Sequence, residues 1–167
     1  MDLRSAQKQL KDRYRSAPDS SKITLKATGS ETDAPISCSV DIGRAIYAAE
    51  AHTGVGGAGT AACSGDLLLG ALAACAQITC QMVATAMNVP TSSISATAEG
   101  DLDLAGTLGI SKEAPVGFTS IRLILDINAP DATADQIDSL REKTEQYCVV
   151  MQTLKNPPTV TAKWRQA

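Results

Sequence analysis

The stretch at residues 63–80, CSGDLLLGALAACAQITC, predicts a long helix that is apolar on nearly every side. Ser64 or Asp66 is placed to cap the free N–H groups at its start, and Pro90 requires it to end near Met87. A helix of this kind lies inside a fold, and its many small residues allow another element to approach closely. The stretch therefore predicts the central element of the domain.

Three of the chain's five cysteines lie in this stretch. Zinc sites favour close pairs such as CxxC, which the sequence lacks, and it has a single histidine, so we expect no metal site. Cys75 and Cys80 are five residues apart, about 140° around a helix, and so point to different faces. An odd cysteine count also argues against a disulfide framework. Packing and redox chemistry remain, and Cys38 and Cys80 fit packing.

The composition excludes several classes of partner. The chain has 167 residues, net charge −3 and only three Tyr, one Trp and one Phe. It therefore lacks the basic surface and the stacking aromatics that nucleic acids require. Residues 1–15 are charged throughout and form no signal pattern, and we find no apolar run of the ~20 residues that a membrane span needs. We expect one cytoplasmic domain with no nucleic-acid or membrane partner.

Outward from the central helix, the hydrophobic periodicity predicts an α+β fold. Residues 2–16 predict a surface helix within an N-terminal extension, 1–20. The capping-box sequence TADQ, at Thr133–Gln136, begins a second long helix that ends near the KNPP at 155–158. Strands are predicted at residues 22–28, 36–42, 44–50, the first part of 92–110, 119–129 and 159–164. The order is roughly βββαββαβ, with the two long helices packed on antiparallel sheet.

Cys75 and Cys148 each lie midway along the apolar stripe of one long helix. If the two helices pack face to face, the two thiols would meet. A thiolate that attacks a peroxide becomes a sulfenic acid, and a second thiol condenses with it to form a disulfide. The residues alone leave packing and this redox pair as alternatives.

Four segments in this order resemble the OsmC/Ohr family of thiol-dependent hydroperoxide reductases. They are CSGDLLLGALAACAQIT, GDLDLAGTLGI, VGFTSIRLILDI and YCVVMQTLKNPPTV, and the match covers roughly residues 20–164. The resemblance implies an intertwined homodimer with active sites at its interface. It implies that Cys75 is the peroxidatic cysteine and Cys148 the resolving cysteine of a peroxidase active in the oxidative stress response. It also implies organic and fatty-acid hydroperoxides as substrates, an external dithiol such as protein-bound lipoamide as reductant, and no bound cofactor.

The chain departs from the family at the groups that activate the cysteine. Burial raises a thiol pKa, and Cys75 is too far along its helix for the helix N-terminus to lower it. The family uses an arginine held by a glutamate ten residues before the cysteine, where this chain has Gly65. Asp66 is the nearest carboxylate; it either replaces the glutamate or only caps the helix. Arg44 is the nearest candidate arginine.

Further departures concern the surroundings of the predicted pair. Arg13 and Arg15 are the arginines after Arg44 in order of preference, and Val149 replaces the usual proline after the second cysteine. Cys63 either lines the pocket, acts as an additional resolving thiol or packs in its loop. His52 either lines the pocket entrance or is an exposed loop residue.

A second function stays open alongside the peroxidase. Without the family's arginine and glutamate, Cys75 would be an ordinary buried thiol. The chain would then be a non-catalytic OsmC-like protein that binds a small apolar ligand. The reactivity of Cys75 toward alkylating agents and peroxide distinguishes the two functions.

Overall fold

The computed structural model describes residues 2–166 and confirms an α+β fold. The strands are β1 (Thr28–Glu31), β2 (Ser37–Asp41), β3 (Ile46–Glu50), β4 (Ser93–Asp101) and β5 (Ser120–Asn128). The α-helices are α1 (Leu3–Ser16), α2 (Ser64–Met87), α3 (Leu104–Thr107), α4 (Ala134–Tyr147) and α5 (Val149–Lys155). Short 3-10 helices lie at Pro18–Ser21 and Thr53–Val55.

These elements form two compact units. The first contains residues 2–71 and 97–124, and the second contains residues 72–96 and 125–166. Helix α2 and strands β4 and β5 each contribute residues to both units. The expectation of a single domain with an N-terminal extension at 1–20 stays a prediction.

The first unit contains an antiparallel three-stranded sheet in the order β1-β2-β3. Cys38 on β2 lies opposite Glu31 on one side and Ala49 on the other, and it is half-buried. The strands predicted at 36–42 and 44–50 are therefore confirmed as β2 and β3. The strand predicted at 22–28 is wrong except at its last residue. Residues 22–27 have no regular structure, and their alternating apolar side chains are exposed instead of packed against a core.

Glu50, the last residue of β3, holds the glycine-rich loop that precedes α2. Its carboxylate accepts hydrogen bonds from the Ala61 N–H (3.0 Å) and the Thr60 hydroxyl (2.9 Å), and also from the Thr60 N–H. The bond from the Ala61 N–H is the largest cause that lowers the Glu50 pKa. One carboxylate thereby fixes the conformation of this loop. Its glycine-rich composition alone predicts no fixed conformation.

The second unit has a continuous hydrophobic core. Cys80, Val83 and Ala84 of α2 pack with Leu140 of α4, and this cluster is covered by apolar side chains of β4 and β5. On both strands alternate residues face inward, as the period of two predicts. The Ser92 N–H donates to the Asn128 carbonyl at one end of this strand pair, so β4 and β5 run antiparallel.

Helix α2 begins and ends with local capping bonds. At its end Asn88 adopts the left-handed conformation (φ 56°). The Asn88 N–H donates to the Thr85 carbonyl and the Val89 N–H to the Ala84 carbonyl, which together form a Schellman motif. The buried Val89 anchors the turn in the core. The predicted span of α2 is confirmed at both ends.

Helix α2 corrects the expectation that no apolar run of the chain is long enough to span a membrane. By length and composition it is apolar enough to cross a membrane, because its few polar residues do not outweigh its aliphatic ones. The core helix of a water-soluble protein passes the same test. In this structure its face at Leu72, Ala76 and Cys80 is buried within the protein.

Two glycines explain the bend after β4, within the first unit. A Cβ atom at Gly100 would collide with the ring of Phe118, and one at Gly106 would collide with the backbone at Pro115. The chain therefore passes close to its neighbours at both positions. The strand predicted in the first part of 92–110 ends at Asp101, and the helical turn α3 follows it within the motif GDLDLAGTLG.

Two further expectations are wrong. The second long helix is broken at Cys148 into α4 and α5, because Cys148 has an extended backbone conformation (φ −71°, ψ 104°). The capping box that begins it, with Thr133 and Gln136, is confirmed. The strand predicted at 159–164 is absent, since residues 157–166 have no regular structure, and the side chains of Val160 and Trp164 are exposed.

Candidate active site: a thiol pair in the second unit

Helix α2 positions Cys75 within its buried half. The side chain is half-buried, and Ala76, which follows it, is fully buried. Thr79 lies one turn further along the same face, and its hydroxyl oxygen is 4.0 Å from the Cys75 sulfur. The helix thus presents a thiol and a hydroxyl side by side.

The break between α4 and α5 positions Cys148. Its N–H donates to the Thr144 carbonyl (3.0 Å), and its carbonyl accepts from the Gln152 N–H (2.9 Å), so it ends one helix and begins the next. The Gln152 side-chain amide donates to the Glu145 carbonyl across the break (2.8 Å). Because each of these bonds joins one helix to the junction or to the other helix, the break has a fixed geometry.

The structure brings Cys75 and Cys148 together. The Cys148 thiol and the backbone N–H groups of Val150 and Val149 lie near enough to the Cys75 sulfur to lower its pKa. Those N–H groups lie in the first turn of α5, where helix geometry leaves them without partners in their own helix. The break therefore directs two free backbone donors at the thiol on α2. All five cysteines are free thiols in this structure.

The two thiols differ in acidity for identifiable reasons. Burial is the largest influence on the Cys75 pKa and raises it. The hydrogen bonds from the Val150 N–H, the Cys148 thiol, the Thr79 hydroxyl and the Val149 N–H together outweigh burial, so the Cys75 pKa lies below its ordinary value. Burial also raises the pKa of Cys148, and the neighbouring Cys75 raises it further. Cys75 is therefore the more acidic thiol of the pair and Cys148 the less acidic one.

Backbone, thiol and hydroxyl groups are the donors that lower the Cys75 pKa. The groups with the largest effects on the Cys75 pKa are burial and four hydrogen-bond donors, and no arginine is among them. The sequence did not indicate these donors, because they depend on the break at Cys148. Thr79 was indicated only by its spacing of four residues from Cys75.

In the first unit, Asp66 forms a helix cap. Its carboxylate accepts from the Cys63 N–H (2.9 Å), and the Leu67 N–H donates to the Cys63 carbonyl. The Asp66 pKa is lowered, first by the Cys63 N–H and then by the Cys63 thiol. Of the two roles considered for Asp66, the structure shows the capping role. A role for Asp66 in activating Cys75 stays a prediction.

The other candidate site residues of the first unit bind neighbouring residues or lie on the surface. His52 is exposed, and its Nδ1 accepts from the Gly54 N–H (3.0 Å), capping a 3-10 helix. Arg44 lies by an open groove beside the turn between β2 and β3. On α1, Arg13 stacks over Tyr14 and Arg15 binds Asp12. The catalytic roles considered for these residues, and the pocket role of Cys63, stay predictions.

Cys80 is fully buried in the core of the second unit, and burial raises its pKa. A groove of about 440 Å³ adjoins the break at Cys148 and is lined mainly by Tyr147, Val149, Gln152 and Pro158. Within residues 2–166, no three His, Cys, Asp or Glu side chains are grouped so that they could hold a metal ion.

This arrangement has the parts for reversible thiol oxidation. A partly accessible thiolate is the nucleophile in such chemistry, and a neighbouring protonated thiol can condense with the product. Cys75 is the partly accessible and more acidic thiol of the pair, and Cys148 is the less acidic one. The arrangement is suited to oxidation of Cys75 and closure of a disulfide with Cys148.

Comparisons with known proteins identify the family. The sequence matches the family model described as OsmC-like protein over residues 57–163. A comparison with curated proteins gave no match. The structure is similar to that of an OsmC-like protein from Mycoplasma pneumoniae, with TM-score 0.68 and 16% identity over 81% of this chain and 90% of that one.

Two further solved structures share the fold. One is an organic hydroperoxide resistance protein OsmC from Legionella pneumophila, with TM-score 0.62 and 19% identity over 80% of this chain and 90% of that one. The other is the organic hydroperoxide resistance protein OhrB of Bacillus subtilis, with TM-score 0.53 and 17% identity over 81% of this chain and 93% of that one. Because the family model matches more than half of the sequence, the chain belongs to the OsmC/Ohr family.

Proposed function

We propose that the protein is a cysteine-based peroxidase that reduces organic hydroperoxides, including fatty-acid hydroperoxides, to alcohols. The observation that carries the proposal is the pairing of Cys75, whose pKa is lowered, with the protonated thiol of Cys148. Two of the structurally similar proteins are named organic hydroperoxide resistance proteins, which supports the same substrate class.

The proposed reaction has three steps. The Cys75 thiolate attacks the terminal peroxide oxygen of ROOH; the O–O bond breaks, Cys75 becomes a sulfenic acid, and RO⁻ takes a proton and leaves as the alcohol. The Cys148 thiol then attacks the sulfenic sulfur, which forms the disulfide and releases water. An external dithiol reduces the disulfide by two thiol–disulfide exchanges and becomes a cyclic disulfide, which regenerates both thiols.

The reductant and the substrate follow from this scheme. A dithiol such as protein-bound lipoamide supplies both electrons, so the protein needs no bound cofactor. The groove at Tyr147, Val149 and Pro158 offers apolar surface next to Cys148, which suits a substrate or reductant with an aliphatic chain. A reducing cytoplasm keeps the unreacted cysteines free and supplies the electrons.

The proposed assembly is a homodimer. The single chain exposes many large apolar side chains on its surface, which are suited to burial by a second copy. They include Ile23, Leu25, Ile46, Val160 and Trp164. Nucleic acid and membrane are not among the proposed partners.

Steady-state reduction of cumene hydroperoxide with a lipoyl-type dithiol tests the proposal. We expect turnover in the unmodified protein, loss of turnover in Cys75→Ser, and a persistent sulfenic acid in Cys148→Ser that dimedone labels at Cys75. Peptide mapping after one equivalent of peroxide should show the Cys75–Cys148 disulfide. Cys80→Ser is the control, because its thiol lies in the core, and turnover should persist wherever that variant folds.

The opposite result would favour the second function. If Cys75 alkylates no faster than a free thiol at neutral pH, and peroxide leaves Cys75 and Cys148 unlinked, the protein is not a peroxidase. Binding of small apolar ligands would then be the activity to measure.

A further inference from the structure

Helix α1 carries a basic stripe, in which Lys8 and Arg15 each form an exposed salt bridge with Asp12. Arg4, Lys8, Lys11 and Arg15 are spaced by four, three and four residues, which places them on one face over about 16 Å. All four are exposed, Lys8 to 82% of its side chain. No residue of α1 is buried. This helix therefore presents a charged surface to whatever approaches it.

The charge of α1 is opposite to that of the rest of the chain. Residues 2–16 contain five basic and two acidic residues, a net charge of +3. The remaining residues contain 10 basic and 16 acidic residues, a net charge of −6. The helix is thus a cationic arm on an anionic protein, and its electrostatic complement exists on another copy of the same chain.

Helix α4 offers the matching surface. Asp135, Asp138, Glu142 and Glu145 are spaced by three, four and three residues, an acidic stripe of about 15 Å on the side away from the core. Arg141 binds Asp138, and Lys155 binds Glu145. Within residues 2–166, Asp135 and Glu142 form no salt bridge, and neither does Lys11 on α1.

We propose that the basic stripe of α1 docks on the acidic stripe of α4 in a second copy of the chain. The two stripes are similar in length, both repeat at intervals of three and four residues, and they are opposite in charge, which is the complementarity that pairs helices. This inference goes beyond the proposed peroxidase function and does not depend on it.

A membrane surface fits α1 less well. An anionic bilayer would attract the helix but repel the remaining −6 of the chain. The apolar face of α1 also has only two large aliphatic side chains, Leu3 and Leu10, which is little area for insertion. The second copy offers opposite charge without that repulsion.

Isotope-mixed cross-linking tests the contact. Copies at natural abundance and copies labelled with ¹⁵N are mixed and treated with a carbodiimide, which joins a lysine amine directly to a carboxylate. We expect peptides in which Lys8 or Lys11 of one isotope is joined to an α4 carboxylate of the other. Their yield should fall about fivefold or more when salt is raised to about 1 M, where the screening length is only about 3 Å.

Charge exchange makes the test specific to these two stripes. Lys8→Glu/Lys11→Glu should lose the mixed cross-link, and so should Asp138→Lys/Glu142→Lys. Mixing the first variant with the second should restore it, with amine and carboxylate exchanged between the helices. Lys112→Glu, a charge reversal at an exposed loop position in the same unit as α1, should leave the yield unchanged.

Three outcomes would overturn the proposal. They are cross-links only between like isotopes, failure of the exchanged variants to restore the contact, and binding of α1 to phosphatidylglycerol vesicles with no mixed cross-link. Peroxide turnover measured on the same samples keeps the two proposals distinguishable, because none of the exchanged residues lies at the thiol pair.

Discussion

At the scale of single residues, the site depends on an asymmetry between two thiols of the same chemical type. Cys75 and Cys148 each influence the pKa of the other, yet their pKa values move in opposite directions. Cys75 gains donors from the first turn of α5 and from Thr79, whereas Cys148 is fully buried beside a sulfur that favours the charged form. In the proposed mechanism this asymmetry makes Cys75 the nucleophile and Cys148 the resolving thiol.

Removing the Cys148 thiol should make Cys75 less acidic. In Cys148→Ala the Cys75 thiolate loses one hydrogen-bond donor, so its pKa should rise and its alkylation at pH 7 should slow about five- to tenfold. Cys148→Ser keeps a donor and is the matched control. The measurement is the pH dependence of iodoacetamide labelling at Cys75, followed by mass spectrometry of its peptide. Equal labelling in both variants would contradict this account.

At the scale of elements, the break between α4 and α5 creates the site. A continuous helix through residue 148 would bond the N–H groups of Val149 and Val150 to carbonyls one turn earlier, and they could not reach Cys75. The extended conformation of Cys148 removes those carbonyl partners. Gln152 then replaces one of the lost bonds by donating from its side chain to the Glu145 carbonyl.

Proline at position 149 would keep the break between the helices but remove one of the N–H donors near Cys75. The position begins α5, where proline is tolerated, and the backbone of Cys148 (ψ 104°) is close to the conformation that precedes proline. Val149→Pro should therefore keep the helix but remove one N–H donor to Cys75, so the Cys75 pKa should rise. Val149→Ala keeps the donor and should not change it.

Circular dichroism and the same labelling profile measure this outcome. We expect equal helix content in both variants and a labelling profile shifted to higher pH in Val149→Pro alone. An unshifted profile with helix content retained would show that the Val149 N–H contributes little. The Val150 N–H would then be the principal backbone donor.

At the scale of the whole molecule, one chain exposes many large apolar side chains. Residues 22–27 and 159–164 both have alternating apolar side chains, and both lack a strand partner in the described chain. The periodicity therefore predicts strands that a single copy does not form. A proposed homodimer would supply the missing neighbours.

Trp164, the one tryptophan of the chain, reports on this proposal. Its side chain is 95% exposed in the single chain. In a dimer that buries the C-terminal segment, its fluorescence should shift to shorter wavelength and iodide should quench it several-fold less than in the urea-unfolded protein. Sedimentation at the same concentration gives the oligomeric state. A monomer, or a dimer whose tryptophan is fully quenched, would contradict burial of this segment.

Much of the fold followed from periodicity. The bounds of α2, the capping box of α4 and the inward face of β5 agree with the sequence, because each depends on residues a few positions apart. The break at Cys148 was not predicted from the sequence, since the local sequence YCVV has neither glycine nor proline. Its backbone is fixed by bonds to Thr144 and Gln152.

The sequence by itself determined the family, the central apolar helix and the two cysteines worth testing. Motif order and hydrophobic spacing are local properties, and the chain keeps them whatever its tertiary contacts. Only the tertiary structure decided that backbone N–H groups of α5 and a second thiol lie near Cys75. The acidity of a thiol depends on burial and on donors brought from distant positions, and those exist only after the chain has folded.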